Sequence, residues 1–421
     1  MIRPHSSRAS AAQCLAILVL AAACDGASFA GGTKGQLRLL GGFAGTPSGV
    51  SSDGRVVVGY NPVQYWYWTS DIGVIPIGGI APGSQGAGGS GDISDDGSRI
   101  GYTVLNPDTG KTEGAFYEVP TGVTTRVGNF GFNCDISATS CWGISGDGAT
   151  MVGLGWHSAC EARGYSYNPK SGLVDLGTIY FFESTRANAC SRDGSTIVGW
   201  QDFYTGFRQA TVWRNGVQQV LFAPGNVRLG EASACSADGN WVVGLGSSAN
   251  NELAWRWSQA TGYIPLPPTP IPGFNPYATD ISNDGSRVLM FYRVPAPPAT
   301  SGEGYLWING TLHSLEEYAA EQGVQIDPGV RLALPLAISG DGYTIVGSAR
   351  TPQGVQGFVL DLPRPAQCVA DLTGDGHVAA QDIAALLSDW GSTTSAADLN
   401  GDGSVGAADI TVLLSAWGVC P

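Results

Sequence analysis

Charged side chains are scarce in this chain, and basic ones are the scarcest. Only 13% of the residues are Asp, Glu, Lys or Arg, and 35 acidic against 21 basic residues give a net charge of −14. Proteins that bind nucleic acid or anionic membranes are usually basic. The composition therefore predicts no nucleic-acid partner and no attachment to an anionic membrane surface.

Catalytic signatures are also lacking. The four histidines are scattered, and the sequence has no Gly-rich phosphate loop, no His-Glu-x-x-His and no Gly-x-Ser-x-Gly. We therefore predict no catalytic residue. The acids that an enzyme could use follow no recognisable pattern; they are Glu113, Glu118, Glu161, Glu183 and Asp202. Two carboxylates about 5–10 Å apart in one concave face would favour a glycosidase instead.

Long apolar runs are absent except near the start. Residues 1–30 begin with Arg3 and Arg8, continue with an apolar run at 15–23, and end at Ala30 in a small-x-small pattern. This is typical of a signal peptide, and its apolar core is too short to span a bilayer. We expect a secreted or cell-surface protein. A lipoprotein anchored at Cys24 is the alternative, although the usual Leu three residues earlier is missing.

Seven of the nine cysteines follow the predicted signal peptide. Cys190 and Cys235 take a repeat position that Val or Ile fills elsewhere, so we expect small buried side chains there rather than a disulfide. Export makes bridges feasible in other places, but spacing does not fix the pairs. The candidates are one bridge among Cys134, Cys141 and Cys160, and another between Cys368 and Cys420.

The chain is rich in glycine (62 residues), and much of it belongs to a phrase that returns seven times. The first copy is residues 50–60, with Ser51, then Asp53-Gly54, then a Val-rich run. The later Asp-Gly pairs begin at Asp96, Asp147, Asp193, Asp238, Asp284 and Asp341. Asp-Gly between β-prone runs predicts a hairpin, because Gly takes positive φ and Asp bonds its own backbone. The seven Asp are interpreted as turn-capping groups.

Two positions of the phrase carry further predictions. The residue between Ser and Asp varies freely, as an exposed position would. A Gly stands six residues after the Asp in five copies, at Gly59, Gly153, Gly199, Gly244 and Gly347. Gly inside a strand indicates backbone crowding or a bulge.

Successive turns lie 43 to 57 residues apart, and each period also contains an aromatic strand and a short apolar strand. Four strands per unit and a period in the forties predict a β-propeller, here with seven blades. The short apolar strand that the last unit lacks stands at the amino-terminal end, at residues 36–40. We expect it to complete the blade formed by residues 337–361, which removes two open sheet edges. An open solenoid is the alternative.

The phrase A-x-x-[VI]-S-x-D-G-x-x-[VI]-V-G, followed by an aromatic strand, resembles the extracellular HAF-type repeats of bacterial surface and secreted proteins. The resemblance covers residues 36–361. It supports a fold and implies no particular activity.

Residues 366–421 have a different composition, with seven Asp and no Glu, Lys or Arg. Two copies of one unit repeat there at an offset of 27 residues, each a loop followed by an amphipathic pattern. Oxygen ligands at loop positions 1, 3, 5, 7 and 12, with Gly at 6, are the pattern of a calcium loop. The predicted ligands of two Ca²⁺ ions are Asp371, Thr373, Asp375, the His377 carbonyl and Asp382, then Asp398, Asn400, Asp402, the Ser404 carbonyl and Asp409. Because clustered carboxylates repel one another, binding and folding should be coupled.

These paired units resemble dockerin type I domains across residues 369–419, including Asp at position 12. The resemblance implies docking onto a cohesin domain, often in extracellular polysaccharide breakdown. The family's contact positions, ten and eleven of each loop, are here Ala380, Gln381, Ala407 and Ala408, without the usual hydroxyl pairs. Another surface protein is therefore the alternative partner.

The predicted organisation is a signal peptide (1–30), a propeller (31–362), a linker (363–367) and a dockerin (368–421). The fold class is mainly β, with a small helical dockerin at the end. We favour a non-catalytic docking protein that could also bind polysaccharide. The alternative is a carbohydrate-active enzyme, a glycoside hydrolase or polysaccharide lyase, with its site on the propeller. Trp142, Trp156 and Trp200 lie off the aromatic strands and are the candidates for a sugar-stacking surface.

Overall fold

The computed structural model describes residues 35–42, 44–83, 88–132, 138–246, 253–294, 298–364, 368–373 and 377–419. Contacts divide the chain into one unit at Lys34–Arg364 and another that contains Pro365–Pro421. The predicted signal peptide and Cys24 lie outside the described residues, as do residues 365–367 of the predicted linker.

The first unit is a propeller of seven four-stranded antiparallel sheets. The innermost strands are Thr46–Val50, Asp92–Ile93, Thr139–Ile144, Thr185–Cys190, Ala232–Cys235, Asn275–Ile281 and Arg331–Ile338. The second strands are Val56–Tyr60, Arg99–Leu105, Met151–Trp156, Thr196–Phe203, Trp241–Gly244, Arg287–Arg293 and Thr344–Thr351. The third strands, which carry the aromatic residues, are Tyr65–Thr69, Thr112–Glu118, Ala162–Asn168, Phe207–Arg214, Trp255–Ser258, Glu303–Ile308 and Gly354–Asp361.

The outer strands of the first six blades are Gly73–Gly78, Val123–Arg126, Gly172–Asp175, Val217–Val220, Gly262–Pro265 and Thr311–Ser314. Short elements outside the four-stranded sheets decorate the blades. A hairpin of Phe222–Ala223 and Val227–Arg228 follows the fourth blade, and the helix Leu315–Glu321 follows the sixth. Single 3-10 turns lie at Ser158–Cys160, Pro224–Asn226 and Ala299–Ser301.

The seventh blade is completed from the other end of the chain, as predicted. The strand Gln36–Leu39 pairs with Gly354–Asp361, with Gln36 opposite Asp361 and Leu39 opposite Phe358. Arg38 forms an ion pair with Asp361 across this joint. Because one blade contains strands from both ends of this unit, the seven blades form a closed ring and not an open solenoid.

Each Ser-x-Asp-Gly phrase forms the hairpin turn between the first and second strands of a blade. In the fourth blade the buried Ser191 hydroxyl donates to Asp193 (2.8 Å) and accepts the Thr196 amide (3.0 Å). The Asp193 carboxylate also accepts the Ser195 amide at 2.9 Å. The same bonds recur in all seven turns, and every glycine after the Asp has φ between 68° and 79°. The aspartates therefore cap turns, as predicted.

The variable residue inside the phrase was wrongly expected to be exposed. Of its seven representatives only Arg192 is exposed, and the other six are half-buried. The reason is a ring of seven backbone hydrogen bonds of 2.8–3.1 Å that joins neighbouring turns around the channel. Its donor–acceptor pairs are Ser52–Asp95, Asp95–Gly146, Asp147–Arg192, Arg192–Ala237, Ala237–Asn283, Asn283–Gly340 and Asp341–Ser52.

The glycines six residues after the Asp meet both expected constraints. A Cβ on Gly199 would lie 2.0 Å from the Arg186 carbonyl oxygen. The register of the innermost strand shifts beside that residue, between Ala187 and Ala189, and comparable shifts occur in six blades. Crowding and a bulge therefore coincide at this position.

The second unit contains the helices Ala380–Ser388 and Ala407–Ser415 and a short ladder of His377–Val378 with Gly418–Val419. Its core is formed by equivalent residues of the two copies, among them Val378, Leu386, Val405 and Leu413. The amphipathic pattern predicted one buried stripe per helix. Only part of it is buried, because Leu387 remains 51% exposed.

Cys160 and Cys368 each form a disulfide, while Cys141, Cys190 and Cys235 are free. Cys134 and Cys420, the partners that the sequence suggests, lie outside the described residues. Cys190 and Cys235 pack against apolar clusters between blades but are half-buried rather than buried.

Candidate functional site

The second predicted calcium loop folds around the carboxylate of Asp398. Its oxygens accept the amides of Gly401 (2.9 Å), Asp402 (3.2 Å) and Gly403 (2.9 Å). Gly403 has φ 92°, which suits the sharp turn expected at position six. The Asn400 side chain bonds Asp402 at 2.9 Å, so three predicted ligand residues adjoin one another.

The first loop shows the same arrangement where it is described. The Thr373 amide and hydroxyl donate to Asp382 at 2.9 and 3.0 Å, and the hydroxyl also lies 3.3 Å from Asp371. His377 is in the short ladder, where its backbone pairs with Val419. Asp375, the predicted position-five ligand, lies outside the described residues.

The position-twelve aspartates are fully buried and link each loop to its helix. Asp409 accepts the Gly406 amide at 2.7 Å and the Asn400 amide at 3.1 Å, and these bonds lower its pKa. Burial raises the pKa of Asp382, but the bonds from the Ala379, Thr373 and Leu372 amides and the Thr373 hydroxyl together lower it by more, so the net shift is downward. Both groups are therefore carboxylates at neutral pH.

Within the described ranges, no three His, Cys, Asp or Glu side chains are grouped as a metal site. The predicted ligand set also includes Asp375, which lies outside the described residues, the side-chain oxygens of Thr373 and Asn400, and two backbone carbonyls. The predicted ligands are oxygen donors throughout, which is the set that Ca²⁺ prefers. The residues present thus fit calcium by chemistry and by their order along the loop.

The central channel of the propeller contains a concavity of about 560 Å³, lined by residues of the innermost strands. Polar bulge residues along it bond to the next blade: Ser48 donates to the Gly91 carbonyl and Ser233 to the Ala278 carbonyl, both at 2.8 Å. Two carboxylates do the same, since Asp92 accepts the Ile144 amide and Asp280 the Ile338 amide, both at 2.8 Å. These side chains bind blades together.

The two channel carboxyl groups, Asp92 and Asp280, have pKa values above the ordinary value for Asp. Burial raises the pKa of Asp92 to about 6 and that of Asp280 to about 7, although backbone amides partly offset the effect. No cation among the described residues forms an ion pair with either group. No sequence pattern marks these two aspartates, because the equivalent position in the other five blades is Gly or Ala.

The three tryptophans predicted to stack on sugars do not form an exposed surface. Trp200 is only 4% exposed, and Trp142 and Trp156 are half-buried. The Arg186 guanidinium lies 3.6 Å from the Trp142 ring centre and 5.3 Å from that of Trp200, and it forms an ion pair with Glu231. These rings pack on arginine at the channel wall instead of forming an open platform.

The exposed aromatic surface lies instead beside the third and fourth blades. Phe181 and Phe182 are 75% and 68% exposed, and their ring centres are 3.9 Å apart. They border a concavity of about 470 Å³ whose polar lining includes His157, Arg163 and Asp175. Sequence reasoning missed this pair, since it lies in a connection outside the repeated phrases.

The candidate acids of an enzyme do not meet in one pocket. Glu118 pairs with Arg99 at 2.5 Å and Glu161 with Arg163 at 2.5 Å. Glu113 is buried and accepts the side-chain amides of Asn106 (2.9 Å) and Asn129 (3.0 Å). Burial raises the pKa of Asp202, which lies on another blade. Glu183 lies near Asp202 and contributes to the rise in its pKa, whereas Glu113, Glu118 and Glu161 are bonded to other side chains.

Among the described residues, no helix combines the length and apolar character needed to cross a bilayer.

Comparison with known proteins identifies the carboxy-terminal segment. Residues 369–415 match the family model of the dockerin type I domain. Dockerin type I domains bind calcium, dock onto protein partners of the cohesin type and are typically extracellular. No curated protein sequence matches the chain. The predicted dockerin is thereby confirmed, while the likeness to HAF-type repeats stays a prediction.

Solved structures resemble the propeller at low identity. An oligogalacturonate lyase in complex with manganese is 14% identical, with a TM-score of 0.50 over 76% of this chain and 89% of that one. The oligogalacturonate lyase of Vibrio parahaemolyticus is 12% identical, with a TM-score of 0.48 over 78% and 94%. TolB from Acinetobacter baumannii is 15% identical, with a TM-score of 0.38 over 77% of this chain, which spans only 65% of TolB. Such identities show the fold alone.

Proposed function

We propose that this is a secreted, non-catalytic interaction protein, in which a calcium-ordered dockerin unit carries a seven-bladed propeller and docks it onto a cohesin-type protein. The observation that carries the proposal is the pair of loop-helix copies within the dockerin match, with Asp398 wrapped by three loop amides. The scattered acids give no comparable support to the enzyme alternative.

Two calcium sites are part of the proposal. Asp371, Thr373, Asp375, the His377 carbonyl and Asp382 would hold one ion; Asp398, Asn400, Asp402, the Ser404 carbonyl and Asp409 would hold the other. Bound calcium supplies positive charge that offsets the clustered carboxylates. The loop amides that bond Asp398 and Asp409 orient those carboxylates, and the bonds to Asp409 also lower its pKa.

Calorimetric titration of the full-length chain tests the sites. We expect two bound calcium ions for the natural chain and one for Asp398→Ala, because position one is lost from a single loop. Asp389→Asn is the matched control, since Asp389 is an exposed aspartate outside the twelve loop positions. Two ions bound to Asp398→Ala would contradict the assignment.

Docking is tested by capture on immobilised, recombinant cohesin domains in calcium and in chelator. We expect binding that chelator abolishes. Binding that persists in chelator would exclude calcium-dependent docking, and binding to no cohesin would exclude this partner class. For secretion, we expect the exported chain to begin after Ala30; a lipid-modified Cys24 found by mass spectrometry would contradict free release.

The ligand that we propose for the propeller is a polysaccharide. Exposed rings beside polar groups suit sugar binding, because sugar faces are apolar and sugar edges hydrogen-bond. Phe181 and Phe182, with the adjoining His157 and Asp175, provide this combination. A polysaccharide array with product detection tests it: we expect retention without turnover and loss of retention in Phe181→Ala. Released products would instead support the enzyme alternative.

A further inference from the structure

Four large apolar side chains of the dockerin unit are about half exposed to solvent. Leu387 and Trp390 are each 51% exposed, and Leu414 and Trp417 are 51% and 52% exposed. The offset of 27 residues that relates the two copies carries the first pair onto the second. We call them the Leu–Trp pairs.

The two pairs have the same local geometry. The Trp390 amide lies 3.4 Å from the Leu387 carbonyl oxygen, and the Trp417 amide lies 3.4 Å from that of Leu414. Each pair therefore occupies the turn that ends its helix, with the two side chains three residues apart. Residues at that spacing share a helix face.

The core of the unit is complete without these residues. Leu386 and Leu413, their immediate neighbours, are fully buried together with Val378 and Val405. None of the four exposed side chains belongs to this cluster. Exposing two indoles and two leucines in so small a unit leaves apolar surface in water, which usually marks a contact surface.

The positions through which dockerins are expected to contact cohesins offer less here. Ala380, Gln381, Ala407 and Ala408 are exposed, but three of them present only a methyl group. The Leu–Trp pairs are by contrast the large exposed apolar side chains of the described part of this unit, apart from Val369. Tryptophan is among the residues that most often dominate binding energy at interfaces.

Charge decides which partner suits the pairs. Residues 366–421 contain seven Asp and no Lys, Arg or Glu, and two calcium ions would offset only four of those charges. Asp389 lies between Leu387 and Trp390 and is exposed. A complementary surface is therefore apolar at its centre and bordered by Lys or Arg. Anionic lipid and nucleic acid would be repelled.

We propose that each Leu–Trp pair, rather than positions ten and eleven of the loops, is a partner-binding surface of this dockerin, and that a pair inserts into an apolar cleft rimmed by basic residues on a cohesin-type protein. This inference rests on the proposed docking function. It adds the surface used and the chemistry of the partner.

The test measures binding of the full-length protein to a panel of recombinant type I cohesin domains in calcium, by surface plasmon resonance. For a cohesin that binds the natural chain, we expect Trp390→Ala with Trp417→Ala to weaken affinity at least about thirtyfold. We expect weaker binding as KCl rises from about 50 to 500 mM, because a basic rim would be screened. Val369→Ala, another exposed apolar residue of the unit, and Phe181→Ala, an exposed ring on the propeller, should bind normally.

Calcium stoichiometry of the double variant, measured by calorimetry, shows whether its loops still fold. Unchanged affinity of a folded double variant would overturn the inference and leave the docking function intact. Failure of the natural chain to bind any cohesin would overturn both. Dimers that the double variant loses, or binding to phosphatidylserine vesicles that it loses, would replace the cohesin-type partner by a second copy of this chain or by lipid.

Discussion

The amide of Asp341 donates a hydrogen bond to the carbonyl oxygen of Ser52 at 3.0 Å. These two residues belong to the equivalent turns of the last and first blades. Nearly the whole propeller separates them in sequence. Their bond closes the ring that six similar bonds begin. The turn phrase thus has two tasks: it reverses the chain within a blade and joins each blade to the next.

The buried serine of the phrase should be more important for stability than its exposed neighbour. Ser191→Ala leaves the Thr196 amide without its side-chain acceptor, so we expect a loss of about 1–3 kcal/mol in the free energy of unfolding. Ser195→Ala removes an exposed hydroxyl that bonds the same Asp193 carboxylate and should change little. Urea denaturation followed by tryptophan fluorescence measures both, and equal losses would contradict the explanation.

Crowding at the bulge predicts a second asymmetry. Gly199→Ala places a methyl group 2.0 Å from a carbonyl oxygen, so the backbone must move. We expect the free energy of unfolding to fall by at least about 1–3 kcal/mol. Gly42→Ala is the control, because a Cβ there meets nothing within 4 Å and φ is not positive. Denaturation midpoints of the two variants should differ clearly. A Gly199→Ala protein as stable as Gly42→Ala would show that the backbone yields easily.

The closing strand predicts a difference between two leucines of one face, one packed on the core and one at the exposed end of the strand. Leu37 packs against the cluster that contains Phe358 and Leu360, while Leu39 is 36% exposed. Leu37→Asp places a carboxylate against this apolar cluster at a half-buried position, so we expect a lower free energy of unfolding and easier proteolysis. Leu39→Asp should be tolerated. If both variants had the same melting temperature, the strand would not be needed to hold the wheel closed.

Asp280 predicts a pH dependence with a definite sign. Burial raises its pKa in the folded protein to about 7, above the ordinary value near 4, so the folded state binds more protons between these pH values. Its contribution to stability therefore falls as pH rises from about 4 through 7, by at most about 1.4 kcal/mol per pH unit. Asp92 should act in the same direction through a pKa of about 6.

The comparison that isolates this effect is the natural chain against Asp280→Asn. Asparagine resembles the protonated acid and does not titrate. We expect the variant to gain stability relative to the natural chain as pH rises from 4 to 8, measured by urea denaturation at each pH. Parallel curves would mean that Asp280 is not titrating in this range.

Calcium removal should destabilise the dockerin unit and leave the stability of the propeller unchanged. We expect chelator to speed hydrogen exchange in the helices Ala380–Ser388 and Ala407–Ser415, because the loop carboxylates lose their compensating charge. The amides that close the blade ring, such as that of Asp341, should keep their protection. Mass-spectrometric exchange of the full-length chain measures both. Equal protection of the helices with and without calcium would separate their folding from the metal.

Short-range features were predictable because they depend on neighbours in sequence. Asp53-Gly54 and its six equivalents specify a turn through a positive φ and a side-chain acceptor, whatever surrounds them. The spacing of Asp398, Asn400 and Asp402 likewise identifies a calcium loop without any tertiary information. The missing outer strand of the last blade, supplied by residues 36–40, followed from counting units in a closed ring.

By itself the sequence determined the repeat, the seven blades and the dockerin loops, since each is encoded within about ten residues or by periodicity. Only the tertiary structure decided how long-range neighbours change a residue's role. Ring closure put the variable turn residues against the channel, and burial without a cation shifted Asp280. The two short helices pack together and bury one leucine each, Leu386 and Leu413. The same packing leaves Leu387 and Trp390 about half exposed to solvent. The apolar spacing along one helix does not reveal which of these residues is buried.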